Sequence, residues 1–118
     1  MAVEKYCDLD VWKKSMELCE TVYKITSEFP KQEQYGLTSQ LRRCSVSIPS
    51  NIAEGFVRRH GKEFKHFLSI ALSSLAELET QIILAFRLGY LQDVQNKQIL
   101  ENTDHIGRMM TRLYQTIE

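Results

Sequence analysis

The chain has 118 residues, with 15 basic and 15 acidic side chains, three histidines, three cysteines, five glycines and two prolines. At roughly 100–200 residues per domain, residues 1–118 are expected to form a single domain. The balanced charge excludes a uniformly basic nucleic-acid coat or polybasic membrane binder, the scarcity of glycine and proline disfavours a β-sandwich, and 43% hydrophobic with 25% charged residues leaves no case for a disordered chain.

Between Asp10 and Pro30, apolar residues fall at Val11, Leu18, Val22, Ile25 and Phe29, with a second row at Trp12, Met16, Cys19 and Tyr23. Steps of three and four predict a first helix with one wide buried face. Asp8 or Asp10 is expected to cap it, and Pro30 to stop it. A second stripe, Leu37, Leu41, Cys44, Ile48, Ile52 and Phe56, contains Pro49. Proline removes an amide donor and crowds the carbonyl four residues back, so this helix is expected to kink, with Ser45 helping to satisfy the freed backbone.

The third stripe, Phe64, Leu68, Ala71, Leu75, Leu78, Ile82 and Ala85, is a heptad seam, and Gly89 can close the helix in a left-handed conformation. The fourth, Ile99, Thr103, Ile106, Met110, Leu113 and Ile117, keeps the rhythm after a start near Asp93, with Met109 and Met110 read as core filler. Short connections at Pro30–Tyr35, Arg58–Lys62 and Gly89–Asp93 favour antiparallel neighbours. The expected fold is all-α, an up-down-up-down four-helix bundle with a proline kink in helix two.

Cys7, Cys19 and Cys44 have no CxxC spacing, which indicates neither a disulfide framework nor a zinc site and fits a reducing compartment. The N-terminus carries Glu4, Asp8 and Asp10 and no apolar signal core, and the longest apolar run, Ile82–Phe86, is far below the roughly 20 residues that cross a bilayer. A cytoplasmic location without membrane attachment is expected.

The charge is unevenly placed. Residues 42–65 hold six basic against two acidic side chains, while both flanks are net negative. Arg42, Arg43, Arg58, Arg59, Lys62 and Lys65, with His60 and His66, form a candidate phosphate-binding patch at helix two and its junction with helix three. Gly61 there lets backbone come close. The competing reading is a solvated corner with some ion pairs.

A polar stripe also runs along helix two: Gln40, Arg43, Ser47, Ser50 and Glu54, with Asn51 beside it. Small hydrogen-bonding residues suit close helix packing or a subunit contact, and an ordinary wet face has the same spacing. Arg43 and Glu54, three turns apart, are expected to pair with other helices or subunits. Helix three carries surplus apolar residues at Phe67, Ile70, Leu72, Ile83, Leu84 and Phe86, some of which are expected to face another copy.

Signals for catalysis are weak. Glu63-x-x-His66 matches half of a di-iron site, with no second pair in the chain, and His105 stands in a polar context. No HExxH, GxSxG, Walker or dinucleotide glycine pattern occurs. The expectation is no catalytic residue, metal or cofactor.

The segment YGLTSQLRRCSVSIPSNIAEGF, Tyr35–Phe56, resembles the signature of the ribosomal-RNA intervening-sequence proteins, with SIPSNIAEG, Ser47–Gly55, as its specific core. Weaker likeness extends over roughly Asp8 to Leu91, through DLDVWKKSMEL, FPKQEQYGL and KEFKHFLSIALSSLAELETQI. The resemblance implies a four-helix bundle, encoded in many members within insertions in 23S ribosomal RNA genes. A related branch, the accessory variability proteins of diversity-generating retroelements, forms homopentamers that bind nucleic acid and engage a reverse transcriptase, so the resemblance implies an oligomer, with a pentamer favoured, and suggests nucleic acid and a reverse-transcriptase-like protein as partners. Carried over by position, Arg42, Arg43, Arg58 and Arg59 are the implied basic contacts. Ser47, Pro49, Asn51, Glu54 and Gly55 are signature residues with structural or subunit-contact roles. The sequence therefore points to a non-enzymatic homo-oligomer that binds RNA or DNA through the basic patch. A protein-interaction or adaptor module without nucleic-acid binding is the alternative.

Overall fold

The computed structural model describes residues 4–118; Met1 to Val3 of the acidic N-terminal stretch lie outside the described residues. Among the described residues there are four long helices and no strand: α1 (Asp10–Thr26), α2 (Leu37–Val57), α3 (Gly61–Arg87) and α4 (Asp93–Thr116). Single 3-10 turns stand at Tyr6–Asp8 and Lys31–Glu33. The all-helical class expected from the four stripes is observed. α2 packs on α1 and α3, and α4 packs on α3 and α1, around one continuous core.

In α1, neither aspartate caps the helix. Leu9 occupies the N-cap without a side-chain bond, and Asp10 lies in the first turn, where a carboxylate complements the positive end of the helix dipole. Val11, Leu18, Val22, Ile25 and Phe29 are buried as their spacing predicts. Ser15 fills the gap in that row by donating to the Val11 carbonyl at 2.7 Å. The second row is only half used: Cys19 is buried and Trp12 packs on the core, but Met16 and Tyr23 are exposed. The core-facing stripe of α1 is therefore narrower than expected.

The start of α2 is held from outside the helix. The Leu37 amide donates to Glu33 Oε1 at 3.1 Å, and the Tyr90 hydroxyl donates to Glu33 Oε2 at 2.9 Å. That carboxylate is the main reason the Tyr90 phenol sits above its ordinary pKa.

Pro49 lies inside α2, and the helix continues past it to Val57. The Ser45 carbonyl loses the amide that a non-proline residue would supply. The Cys19 thiol of α1 donates to it instead, at 3.0 Å. The Ser45 hydroxyl, expected to help here, donates to the Arg42 carbonyl at 2.9 Å. A buried carbonyl left unpaired costs about 1–3 kcal/mol, so a neighbouring helix makes the internal proline tolerable.

The seam of α3 is buried from Leu68 to Ala85, with Phe64 partly buried at its start. Gly89 has φ +84°, and the amides of Tyr90 and Gly89 bond to the Ala85 and Phe86 carbonyls at 3.0 Å each, which closes the helix as expected. By length and composition alone α3 could cross a membrane. This was hidden in the five-residue apolar run because its apolar residues are interrupted by serines and charges; six of them line the core of the bundle.

α4 opens with a reciprocal pair of bonds between Gln92 and Gln95. Ile99, Thr103, Ile106 and Met110 are buried. Met109, Leu113 and Ile117 pack against the core from its edge.

Candidate nucleic-acid interface

The nonapeptide Ser47–Gly55 is mainly a packing device. Ile48 and Ile52 are fully buried, as is most of Pro49. The Ser47 hydroxyl meets the Ser74 hydroxyl of α3 at 2.9 Å, and the Asn51 amide donates to the Ser47 carbonyl at 2.8 Å. Gly55 lets the helices touch. A Cβ on it would lie 2.7 Å from Phe67 Cβ, closer than real carbon contacts permit, and a tight 3.0 Å from Phe64 Cδ1. Ser50 and Glu54 are the outward-facing exceptions, and the partner of Glu54 is Arg58 at 3.3 Å, one turn on at the end of α2, not a residue of another element as its distance from Arg43 suggested.

The six basic residues grouped by sequence do not form one patch. Arg42 and Arg58 are sixteen positions apart on α2, about 24 Å along its axis. Arg42 is partly buried against α1: its Nε donates to Thr26 Oγ1 at 2.9 Å and its guanidinium lies 4.7 Å over the Tyr23 ring. Arg43 is exposed beside a polar cleft of about 320 Å³ between α2 and α3, lined also by Gln40, Cys44, Ser47, Ser74 and Glu77. Within this cleft the Cys44 thiol donates to the Ser74 carbonyl at 2.9 Å, and burial, reinforced by the Glu77 carboxylate, pushes it up to about 12.

The other four share the corner between α2 and α3. Arg58, Arg59, His60 and Lys62 are exposed, and Lys65 is half-buried one turn further on. Arg59 closes α2 with φ +55°, the one non-glycine residue in the left-handed region among those described. Its guanidinium donates to the Glu4 carbonyl at 3.3 Å and lies 6.0 Å from the Phe56 ring centre. Arg58 lies 5.2 Å over Phe67, and Lys65 Nζ lies 5.1 Å over Tyr114. Among the described residues no carboxylate lies within ion-pair distance of Arg59, Lys62 or Lys65. What approaches Gly61 belongs to this chain: the Ile117 side chain and the Glu118 backbone, 3.2 and 3.3 Å from where a Cβ would stand.

Sequence spacing missed the aromatic floor under these cations. Phe67 and Tyr114 come from other helices, and only the fold brings them beneath Arg58 and Lys65. Glu63 and His66 stand one turn apart at the start of α3, and among the described residues no three His, Cys, Asp or Glu side chains converge.

The model of the family described as the 23S rRNA-intervening sequence protein matches residues 7–112, which carries the likeness past Leu91 and through most of α4. No curated protein matches the chain. Among solved structures, a protein of unknown function from the S23 ribosomal protein family of Bacteroides thetaiotaomicron is 24% identical. The match covers 89% of this chain and 95% of that one, with a TM-score of 0.82. At that identity the likeness is one of fold.

Proposed function

The chain belongs to the 23S rRNA-intervening sequence protein family, and from that premise we propose that it is a non-enzymatic nucleic-acid-binding protein whose contact surface is the α2–α3 corner. One observation carries the reading: Arg58, Arg59, Lys62 and Lys65 lie within eight residues at one turn, with Glu54 as their single ion-pair partner among the described residues. Guanidinium and ammonium groups in that arrangement suit phosphate oxygens, and such contacts make affinity fall steeply with salt. Arg42, committed to Thr26 and Tyr23, has no part in this surface.

We further propose that the helices run antiparallel, that α2 bends at Pro49, and that copies of the chain associate, in keeping with the pentamer implied by the resemblance. The last rests on exposed apolar residues at one end of α3, where Ile83, Leu84 and Leu88 are 39%, 47% and 51% exposed. The same patch favours a second reading, an adaptor that docks a protein partner.

The test is fluorescence-anisotropy titration of a structured RNA and a duplex DNA of equal length at low and physiological salt. Binding should weaken with salt, and the variant Arg58→Glu with Arg59→Glu should bind at least tenfold more weakly with an unchanged melting profile. Equal binding by that variant removes the corner from the reading; no binding by the unaltered protein leaves the adaptor.

A further inference from the structure

Resting on the nucleic-acid reading, we infer that the corner takes unpaired nucleotides, whose bases stack on the outward faces of Arg58 and Arg59. Each guanidinium has an aromatic ring on its inward side, Phe67 at 5.2 Å under Arg58 and Phe56 at 6.0 Å under Arg59. The Arg58 side chain nevertheless stays 46% exposed. The rings back both guanidinium groups at the surface, and a third ring, Tyr114, is partly exposed beneath Lys65.

A patch that bound phosphate alone would use the guanidinium forks but would need no aromatic ring behind them. A guanidinium backed by a ring is instead a plane on which a nucleobase can stack while the same charge faces the phosphate beside it. Base faces are hidden within the stack of a duplex. They are free in a loop, a bulge or a single strand. Lys62, which carries charge without an aromatic partner, serves as the internal control.

The experiment uses the full chain and two probes, a single-stranded oligonucleotide carrying 2-aminopurine and a blunt-ended, fully paired duplex of equal length carrying the same fluorophore at an internal position. The single strand should bind at least fivefold more tightly, with quenching of 2-aminopurine on binding. Arg58→Lys combined with Arg59→Lys, which keeps both charges and removes both planes, should cost at least fivefold in single-strand affinity and relieve the quenching. The salt dependence should stay unchanged. Lys62→Gln should do the reverse, lowering the salt dependence and leaving the quenching. Equal affinity for both probes with a neutral double lysine variant overturns the stacking inference and leaves a phosphate-binding corner. Absence of binding to either probe overturns the nucleic-acid reading with it. Melting curves of the variants keep a folding defect from being taken for either outcome.

Discussion

The seam between α2 and α3 and the corner where those helices join are built from adjacent residues and follow opposite rules. In the seam, Ser47–Gly55, nearly every group is matched: Ile48 and Ile52 are fully buried, Ser47 meets Ser74, and Gly55 admits Phe64 and Phe67. In the corner, charge exceeds its partners, and Arg59 takes a backbone conformation that costs about 1–3 kcal/mol for a residue with a side chain. The most recognisable stretch of the sequence thus holds the helices together, while the residues with unused binding capacity lie just beyond it.

The difference can be broken first from the seam side. Ile48→Ala should destabilise the protein by about 2–5 kcal/mol in urea unfolding, since a fully buried side chain leaves a cavity in the core. Gly55→Ala should cost about 1–3 kcal/mol, because Phe67 Cβ, held close to its backbone, cannot move aside without shifting α3. Ile48→Ala, far from the corner cations, should leave nucleic-acid affinity unchanged at temperatures where the variant is folded.

The cleft supplies a pH test of the same packing. The Cys44 thiol rises from an ordinary 9.0 to about 12 in the fold. An unfolded chain loses that proton from about pH 9 while the folded chain keeps it, so the stabilisation is complete below pH 9 and is lost as pH rises toward 12. The slope is at most about 1.4 kcal/mol per pH unit for one group. Cys44→Ala should flatten this part of the alkaline decline in urea melts between pH 8 and 11. At pH 8 the unaltered thiol should react with iodoacetamide only as fast as the protein opens.

The smallest stability change is expected at the corner, and with the opposite sign. Arg59→Gly relieves the left-handed strain, partly offset by the greater freedom of glycine in the unfolded chain, and should raise stability by a few tenths to about 1 kcal/mol. Affinity for nucleic acid should fall at the same time. A variant that is both more stable and a weaker binder would separate the two regions directly.

Much of the fold was legible because periodicity reports burial. The stripes of α2, α3 and α4 mark buried residues except at their ends, where Phe56, Phe64, Leu113 and Ile117 are partly buried, and Gly89 ends α3 as its lack of a side chain allows. Periodicity says less about which helix faces which. It widened the buried face of α1 to include Met16 and Tyr23, and it could not supply the Cys19 thiol that serves the Ser45 carbonyl, a contact between residues 26 positions apart. The candidate site was legible only as a count of charges. Grouping by sequence joined Arg42 and Arg43 to the corner because they share α2, yet the length of that helix separates them from it. The rings beneath Arg58 and Lys65 needed the three-dimensional arrangement.

The most direct measurement is the slope of log affinity against log salt for a single-stranded probe, taken for the unaltered protein, Lys62→Gln and Arg42→Gln. Sequence alone puts both residues in one patch, whereas the fold places Lys62 at the corner and holds Arg42 on Thr26 and Tyr23. With the corner as the contact surface, Lys62→Gln should lower the magnitude of the slope by about 0.7, the value of one phosphate contact on a single strand, and Arg42→Gln should leave it unchanged. A slope that falls with Arg42→Gln and not with Lys62→Gln would contradict that assignment.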